Sequence, residues 1–112
     1  MAIKITGKLE DFYPNSVIPF KVTVKYDGAA QDIRNDTVTV YIKANADTDD
    51  SNALITTTAD VSTQGESGIA IFELTQSQTD VPDQGAWCKI VWTRSNGNVH
   101  TIYGKEVTIL AV

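Results

Sequence analysis

Residues 85–112, GAWCKIVWTRSNGNVHTIYGKEVTILAV, decide the fold of this chain. Two apolar runs flank the tetrapeptide SNGN at 95–98, and an Asn-Gly pair can take the positive φ values that a tight hairpin turn needs. Before the turn, Ala86, Cys88, Ile90 and Trp92 alternate with Trp87, Lys89, Val91 and Thr93. A period of two indicates a strand, because a helix would scatter these side chains around its circumference. The chain is therefore predicted to close with a β-hairpin.

The apolar residues are of the kind that favours sheets. The 112 residues include 11 isoleucines and 11 valines but only four leucines. Branching at Cβ suits a pleated surface, whereas a helical bundle would be rich in leucine. A chain of this length is expected to form one domain, residues 1–112, whose core needs neither metal nor disulfide.

Turn signals divide the rest of the chain into short segments. Strands are expected at residues 3–6, 20–26, 37–43, 54–61 and 69–75, with 54–61 at a sheet edge, before the two strands of the hairpin. No helix is long enough to connect parallel strands. The pattern predicts an all-β, antiparallel, immunoglobulin-like β-sandwich of about seven strands, with a small closed barrel as the alternative.

The alternation also predicts the core. The residues expected between the two sheets are Phe20, Val22, Val24, Val38, Val40, Ile42, Phe72, Cys88, Ile90 and Trp92. Ile33 is expected to point inward from a polar segment. The single cysteine, Cys88, is expected to be a small buried hydrophobe and not a reactive thiol.

Charge and hydropathy exclude several classes of partner. The net charge of −5 argues against nucleic acid, since neutralising phosphates takes clustered Lys and Arg. No signal segment and no apolar run of about 20 residues is evident, so the chain is expected to be cytosolic when made and not to bind a membrane.

No catalytic or cofactor motif is recognisable. His100, the only histidine, follows the hairpin turn and is expected to be exposed, with no nucleophile or carboxylate at a useful spacing. The acidic loop at 44–53 contains Asp47, Asp49 and Asp50, with Asp60 a further candidate oxygen ligand, but it lacks the pattern of a calcium-binding loop. The sequence predicts a solvated loop, with a weak cation site as the alternative. No catalytic, cofactor-binding or metal-binding residue is therefore assigned.

The outward face of the hairpin strand is the strongest candidate for a binding surface. Trp87, Tyr41 and Val91 fall on outward faces by the alternation count, and Lys43 and Lys89 are placed to frame them. A tryptophan on an outer face is characteristic of interfaces. A covering loop or the N-terminal strand is one alternative explanation for Trp87, and stacking on a sugar ring is another.

Several segments, in order, resemble a group of structural proteins of tailed phages and prophages. They are FKVTV at 20–24, DDSNALI at 49–55, VPDQG at 81–85, IVWTR at 90–94, NG at 96–97, TI at 101–102, Gly104 and VTI at 107–109. The set covers most of the chain from about residue 17 to residue 112 and is similar to the immunoglobulin-like module at the N-terminus of baseplate upper proteins. The resemblance implies a virion building block without catalytic residues, which packs against copies of itself or other virion proteins as a homo-oligomer in the particle.

Two functions of different classes follow. One is a non-enzymatic virion structural protein of the tail, baseplate or capsid surface, acting through protein–protein assembly. The other is a carbohydrate-binding or adhesive module, whose binding face would comprise Trp87, Tyr41, Tyr103 and the acidic loop.

Overall fold

The chain folds as an all-β sandwich, seen in a computed structural model that describes the backbone of residues 3–111 and the side chains of residues 7–111. Its strands are Ile3–Thr6 (β1), Ile18–Tyr26 (β2), Ala29–Ala30 (β3), Thr37–Lys43 (β4), Ile55–Thr58 (β5), Ile69–Leu74 (β6), Gln84–Thr93 (β7) and Val99–Ile109 (β8). The strands predicted from the alternation are all present. The two-residue strand β3 was not predicted, because two alanines have no alternation to read.

The first sheet is organised around β2. Strand β1 pairs antiparallel with its second half, placing Thr6 opposite Thr23, and β6 pairs antiparallel with its first half, placing Phe72 opposite Phe20. Strand β3 pairs with the end of β2 after a turn at Asp27 and Gly28, both of which have positive φ.

The second sheet has the strand order β5-β4-β7-β8, and all its pairs are antiparallel. Strand β5 is at its edge, as predicted. The chain passes from β2 and β3 in the first sheet to β4 and β5 in the second, back to β6 in the first and then to β7 and β8 in the second, which is the Greek-key connectivity of an immunoglobulin-like sandwich. The alternative of a closed barrel is wrong, because the two sheets have separate strand orders.

The core lies between the sheets, where the alternation placed it. Nine of the ten predicted core residues are at most 1% exposed: Val22, Val24, Val38, Val40, Ile42, Phe72, Cys88, Ile90 and Trp92. Ile33 is also fully buried, as expected. Phe20 is the exception, since it is half-buried and stacks on Phe72 with ring centroids 4.7 Å apart. Its place near the start of β2 puts it at the margin of the core.

The hairpin turn is held by two backbone bonds. Arg94 N donates to the carbonyl of Asn98 at 2.8 Å, and Gly97 N donates to the carbonyl of Arg94 at 2.8 Å. Only Gly97 of the Asn-Gly pair has positive φ, at 92°. A glycine there avoids the Cβ clash that other residues meet in this conformation.

An N-terminal segment covers part of the free edge of β8. Phe12 forms an isolated parallel bridge with Ile109, and Asp11 Oδ1 accepts a hydrogen bond from Thr108 N at 2.9 Å. Phe12 and Leu9 are buried in the core. The segment that precedes β2 is thus also bonded to the second sheet.

Helix contributes little. The described residues contain two 3₁₀ helices, Asp50–Asn52 and Gly65–Ser67, and neither was predicted. Residues 76–79 form hydrogen-bonded turns and not a helix. Thr79 is fully buried and anchors these turns, because its hydroxyl donates to the carbonyl of Ser16 at 2.6 Å. No helix within residues 3–111 has the length and apolarity that a membrane span requires.

Asp60 lies in the connection between β5 of the second sheet and β6 of the first, and its carboxylate is expected to have an unusual acidity. Its carboxylate accepts bonds from Ser62 and Thr63, which hold the pKa at about 2, below the ordinary value of 3.8. Because the pKa of Asp60 is lower in the folded state, these hydrogen bonds stabilise the fold at pH values above about 4. That stabilisation is lost as the pH falls through about 2. The ¹³C shift of the Asp60 carboxyl is expected to titrate with a midpoint near 2.

The Asp60→Asn variant keeps an acceptor oxygen and has no charge to titrate. Its stability is therefore expected to fall less steeply than that of the wild type across the same acidic range. Equal slopes for the two proteins, or a titration midpoint near 4, would contradict the role given to this turn.

Candidate functional site

The candidate site lies on the outer face of the second sheet, the face turned away from the core. Strands β4, β7 and β8 place three cross-strand rows there. Trp87 lies opposite Lys43 and Glu106, Lys89 lies opposite Tyr41 and Gly104, and Val91 lies opposite Thr39 and Thr101. Side chains of directly opposite residues are close enough to touch, with Cβ atoms about 5 Å apart. The structure therefore places the predicted outward residues together on one contiguous face.

Trp87 is half-buried, and its indole packs over a glycine. A Cβ atom placed on Gly104 would lie 3.2 Å from Trp87 Cζ2 and 3.6 Å from Nε1, so the missing side chain leaves room for the ring. Gly104 was not recognised as a site residue from the sequence. A glycine inside a strand pattern often marks a close approach, and here it is the approach of an indole.

Two lysines of this face share one carboxylate. Lys43 Nζ lies 3.1 Å from Asp50 Oδ1, and Lys89 Nζ lies 3.0 Å from Asp50 Oδ2. The loop after β4 folds back to make this contact, and Lys43 also donates to the carbonyl of Ala46 at 3.4 Å. We call Lys43, Asp50 and Lys89 the lysine bridge.

The lysine bridge corrects the prediction that Lys43 would frame the surface as an exposed charge. Lys43 is only 4% exposed, because residues 44–50 cover it. The loop at 44–53 was predicted to be solvated, and most of its residues are exposed, but Asp50 is held by both ammonium groups. Within residues 3–111, no three His, Cys, Asp or Glu side chains come together as potential metal ligands.

The lysine bridge also sets the charge state of Asp50. The hydrogen bond from Lys89 is the main cause that lowers the pKa of Asp50 below its ordinary value of 3.8, and the bond from Lys43 adds to it against the opposing effect of burial. Because this pKa is lowered in the folded state, the bridge stabilises the fold above about pH 4 and weakens in more acidic solution.

Val91 and Tyr41 differ in what they can offer a partner. Val91 lies on the outer face but is only 8% exposed, because β4 and β8 flank it on both sides. Val91 therefore lies on the predicted face but has little surface to offer a partner. Tyr41 is half-buried and keeps part of its ring accessible. Tyr103, assigned to the alternative sugar-binding face, lies opposite Ile90 and packs against the core from the inner face.

A groove with a volume of about 390 Å³ lies beside Trp87. One wall is the start of the loop after β4, the floor is the beginning of β7, and the other wall is the end of β8. Its lining residues are Ala44, Asn45, Ala46, Gly85, Ala86, Trp87, Glu106, Val107 and Thr108. The volume is in the range of small-ligand pockets, which are about 300–1,000 Å³. The sequence did not predict the groove, because its walls come from segments about 60 residues apart.

His100 is placed differently from the prediction. It was expected to be exposed, but it is half-buried on the inner face opposite Trp92, with ring centroids 5.3 Å apart. Its Nε2 is enclosed without a hydrogen-bond partner among the described residues. The shift in register between Ile90 and Val91 brings His100 to this face.

Trp92 is fixed by a polar contact as well as by burial. Its Nε1 donates to Asp36 Oδ2 at 2.9 Å, and Asp36 Oδ1 accepts from Ser95 N at 2.9 Å. The guanidinium of Arg94 lies 5.1 Å from the centre of the indole. These contacts serve the structure, because Trp92 is 1% exposed and its ring cannot contact a ligand.

Cys88 points into the core from the inner face of β7 and is 1% exposed. Burial raises the pKa of its thiol to about 12, so it stays protonated and unreactive at neutral pH. The predicted buried, unreactive cysteine agrees with this placement.

Comparisons with known proteins add little to these observations. No protein-family model and no curated protein matches the chain. One similar solved structure is that of AggA, the major subunit of aggregative adherence fimbriae type I from Escherichia coli. It is 11% identical, with a TM-score of 0.39 over 96% of this chain and 93% of that chain. A likeness of this size does not extend to function.

Proposed function

We propose that this protein is a non-enzymatic assembly module that docks onto another protein through the outer face of its second sheet. Trp87 is the observation that supports the proposal most directly. It is a large aromatic residue that the core does not need, since it lies on the face opposite Trp92 and remains partly accessible. Tryptophan is among the residues that supply most of the energy of protein interfaces.

The surroundings of Trp87 are suited to a preformed contact. Gly104 supports one side of the indole, and the lysine bridge fixes the loop beside it. A contact surface that is already ordered loses little conformational entropy on binding. Tyr41 extends the accessible aromatic area along the same face.

The particular assembly we propose is a tailed-phage virion, in the tail, the baseplate or the capsid surface. The support for it is the ordered resemblance of the sequence segments to virion proteins, and the immunoglobulin-like sandwich is compatible with it. The expected partners are other virion proteins or further copies of this chain, burying at least about 1,000 Å² in total.

The test compares wild type with Trp87→Ser in binding to purified virion proteins and in occupancy of assembled particles. The variant is expected to bind at least tenfold more weakly, since anchor residues contribute about 2 kcal/mol or more. Tyr26→Ser is the matched control, because Tyr26 is a half-buried aromatic residue on β2, in the other sheet. Unchanged binding by a folded Trp87→Ser protein would exclude Trp87 as the anchor.

The alternative function is a carbohydrate-binding or adhesive module, and the groove beside Trp87 is the observation that keeps it open. If no virion protein binds but an oligosaccharide quenches the tryptophan fluorescence of wild type and not of Trp87→Ser, the adhesive function replaces the assembly function.

A further inference from the structure

The groove beside Trp87 has one charged lining residue, Glu106, and a half-buried indole directly opposite it across the strand pair. We propose that the groove receives an arginine or lysine side chain of the partner protein. This inference rests on the proposed function, because it names the chemistry by which the partner is held at the same face.

The charged side chain that lines the groove is negative. Glu106 is exposed and has no ion pair with any other described side chain, and neither lysine of the lysine bridge is among the residues that line the groove. The net charge of the whole chain, −5, has the same sign. A cationic partner is therefore attracted both at long range and at the contact.

The chemistry of the two side chains fits one cation. A guanidinium or ammonium can lie over the indole of Trp87 in a cation–π contact, which is strongest for tryptophan. The same group can donate charge-assisted hydrogen bonds to the carboxylate of Glu106. A neutral sugar could stack on the indole, but it would gain no ion pair from Glu106.

Hydrogen bonds hold the loop wall of the groove, and the space above its floor at Gly85 is unfilled. Asn45 Oδ1 accepts bonds from Asp47 N at 3.0 Å and Thr48 Oγ1 at 3.2 Å, which hold the loop wall. Gly85 lies on the outer face of β7, two residues before Trp87, and a Cβ atom there would meet nothing within 4 Å. A larger side chain at position 85 would therefore fill the groove without disturbing the fold.

The first experiment uses the peptide acetyl-Gly-Arg-Gly-amide, with acetyl-Gly-Gln-Gly-amide as the neutral probe. The arginine peptide is expected to shift the NMR signals of Trp87 Nε1–H and the Gly85 amide saturably, and the shifts should diminish as salt is added. The glutamine peptide and methyl glucoside should leave them unchanged. Equal shifts with the glutamine peptide, or shifts with the glucoside alone, would overturn the inference.

Variants of the groove supply the second readout. Glu106→Gln is expected to weaken binding of the arginine peptide about tenfold, in line with the loss of a charge-assisted bond, and Gly85→Leu should abolish it. Glu73→Gln is the matched control, since Glu73 is an exposed glutamate on β6 in the other sheet. Unchanged melting temperatures establish that these proteins are folded. If Glu106→Gln and Gly85→Leu bind the peptide as wild type does, the inference fails.

The same variants separate this inference from the proposed function. A virion partner that is lost with Trp87→Ser but retained with Glu106→Gln and Gly85→Leu would uphold assembly through Trp87 and refute the cationic side chain. Loss of the partner with all three variants, and with none of the controls, would support both.

Discussion

Replacing Trp92 by alanine is expected to lower the free energy of unfolding by about 3–5 kcal/mol, as for other large aromatic residues removed from a core. The ring is 1% exposed, and its loss would leave a cavity between the sheets and remove the bond from Nε1 to Asp36. Because domains of this size are stable by about 5–15 kcal/mol, the variant should melt at least 10 °C lower. Urea or thermal unfolding followed by circular dichroism would measure the loss.

Two further variants separate packing from hydrogen bonding at this position. Trp92→Phe keeps much of the apolar volume but loses the N–H donor and part of the ring, so its loss of stability should be about half that of alanine. Asp36→Ala removes the acceptor and should cost about 1–3 kcal/mol, because it leaves a buried indole N–H unsatisfied. If Trp92→Ala melts within a few degrees of wild type, the register of β7 against β4 is wrong.

The second large effect is expected at the lysine bridge. Replacing Asp50 by asparagine removes the charge that compensates Lys43, whose side chain is 5% exposed, and so leaves an ammonium buried without a counter-ion. We expect the stability to fall by about 2–3 kcal/mol, at the low end for a buried pair, because the Asp50 side chain is 36% exposed and partly screened by water.

A double variant tests the cause. Adding Lys43→Met to Asp50→Asn removes the uncompensated ammonium and keeps the aliphatic stem, so most of the lost stability should return. Lys8→Met is a suitable control, because Lys8 is an exposed lysine whose side chain is 61% exposed. A loss below about 0.5 kcal/mol in Asp50→Asn, typical of a surface ion pair, would show that the bridge is not buried in solution.

The fold was predictable because a two-residue period leaves little freedom once one face must be buried. Val22, Val24 and Phe72 repeat apolar residues on one face of their strands, and a shift of one position would expose all of them. Phe20 lies on the same face as Val22 and Val24 and is nevertheless half-buried. The alternation specifies the face of the strand, but it does not specify how far along the strand the opposite sheet extends.

The site was less predictable, because it depends on how loops fold over the sheet. Alternation placed Lys43 and Val91 outward, and both are on the outer face, yet Lys43 is covered by the loop that follows it and Val91 by the strands beside it. No periodicity in the sequence reports such a cover. The approach of Trp87 to Gly104 had only a weak signal, a glycine within a strand.

The position of β7 has a consequence for the time at which this chain can fold on the ribosome. Strand β7 is interior to its sheet and supplies Trp92, Ile90 and Cys88 to the core, yet it is synthesised after β1 to β6. Until residues 84–109 leave the exit tunnel, the apolar face of β2 and β6 has only β4 and β5 to cover it. A nascent chain halted before this point would present both that face and the unpaired edge of β4, which invites association with other unfinished chains. This domain is therefore expected to fold only once residues 84–109 are available, and a pause in translation upstream of residue 84 should be more harmful than one downstream of residue 109.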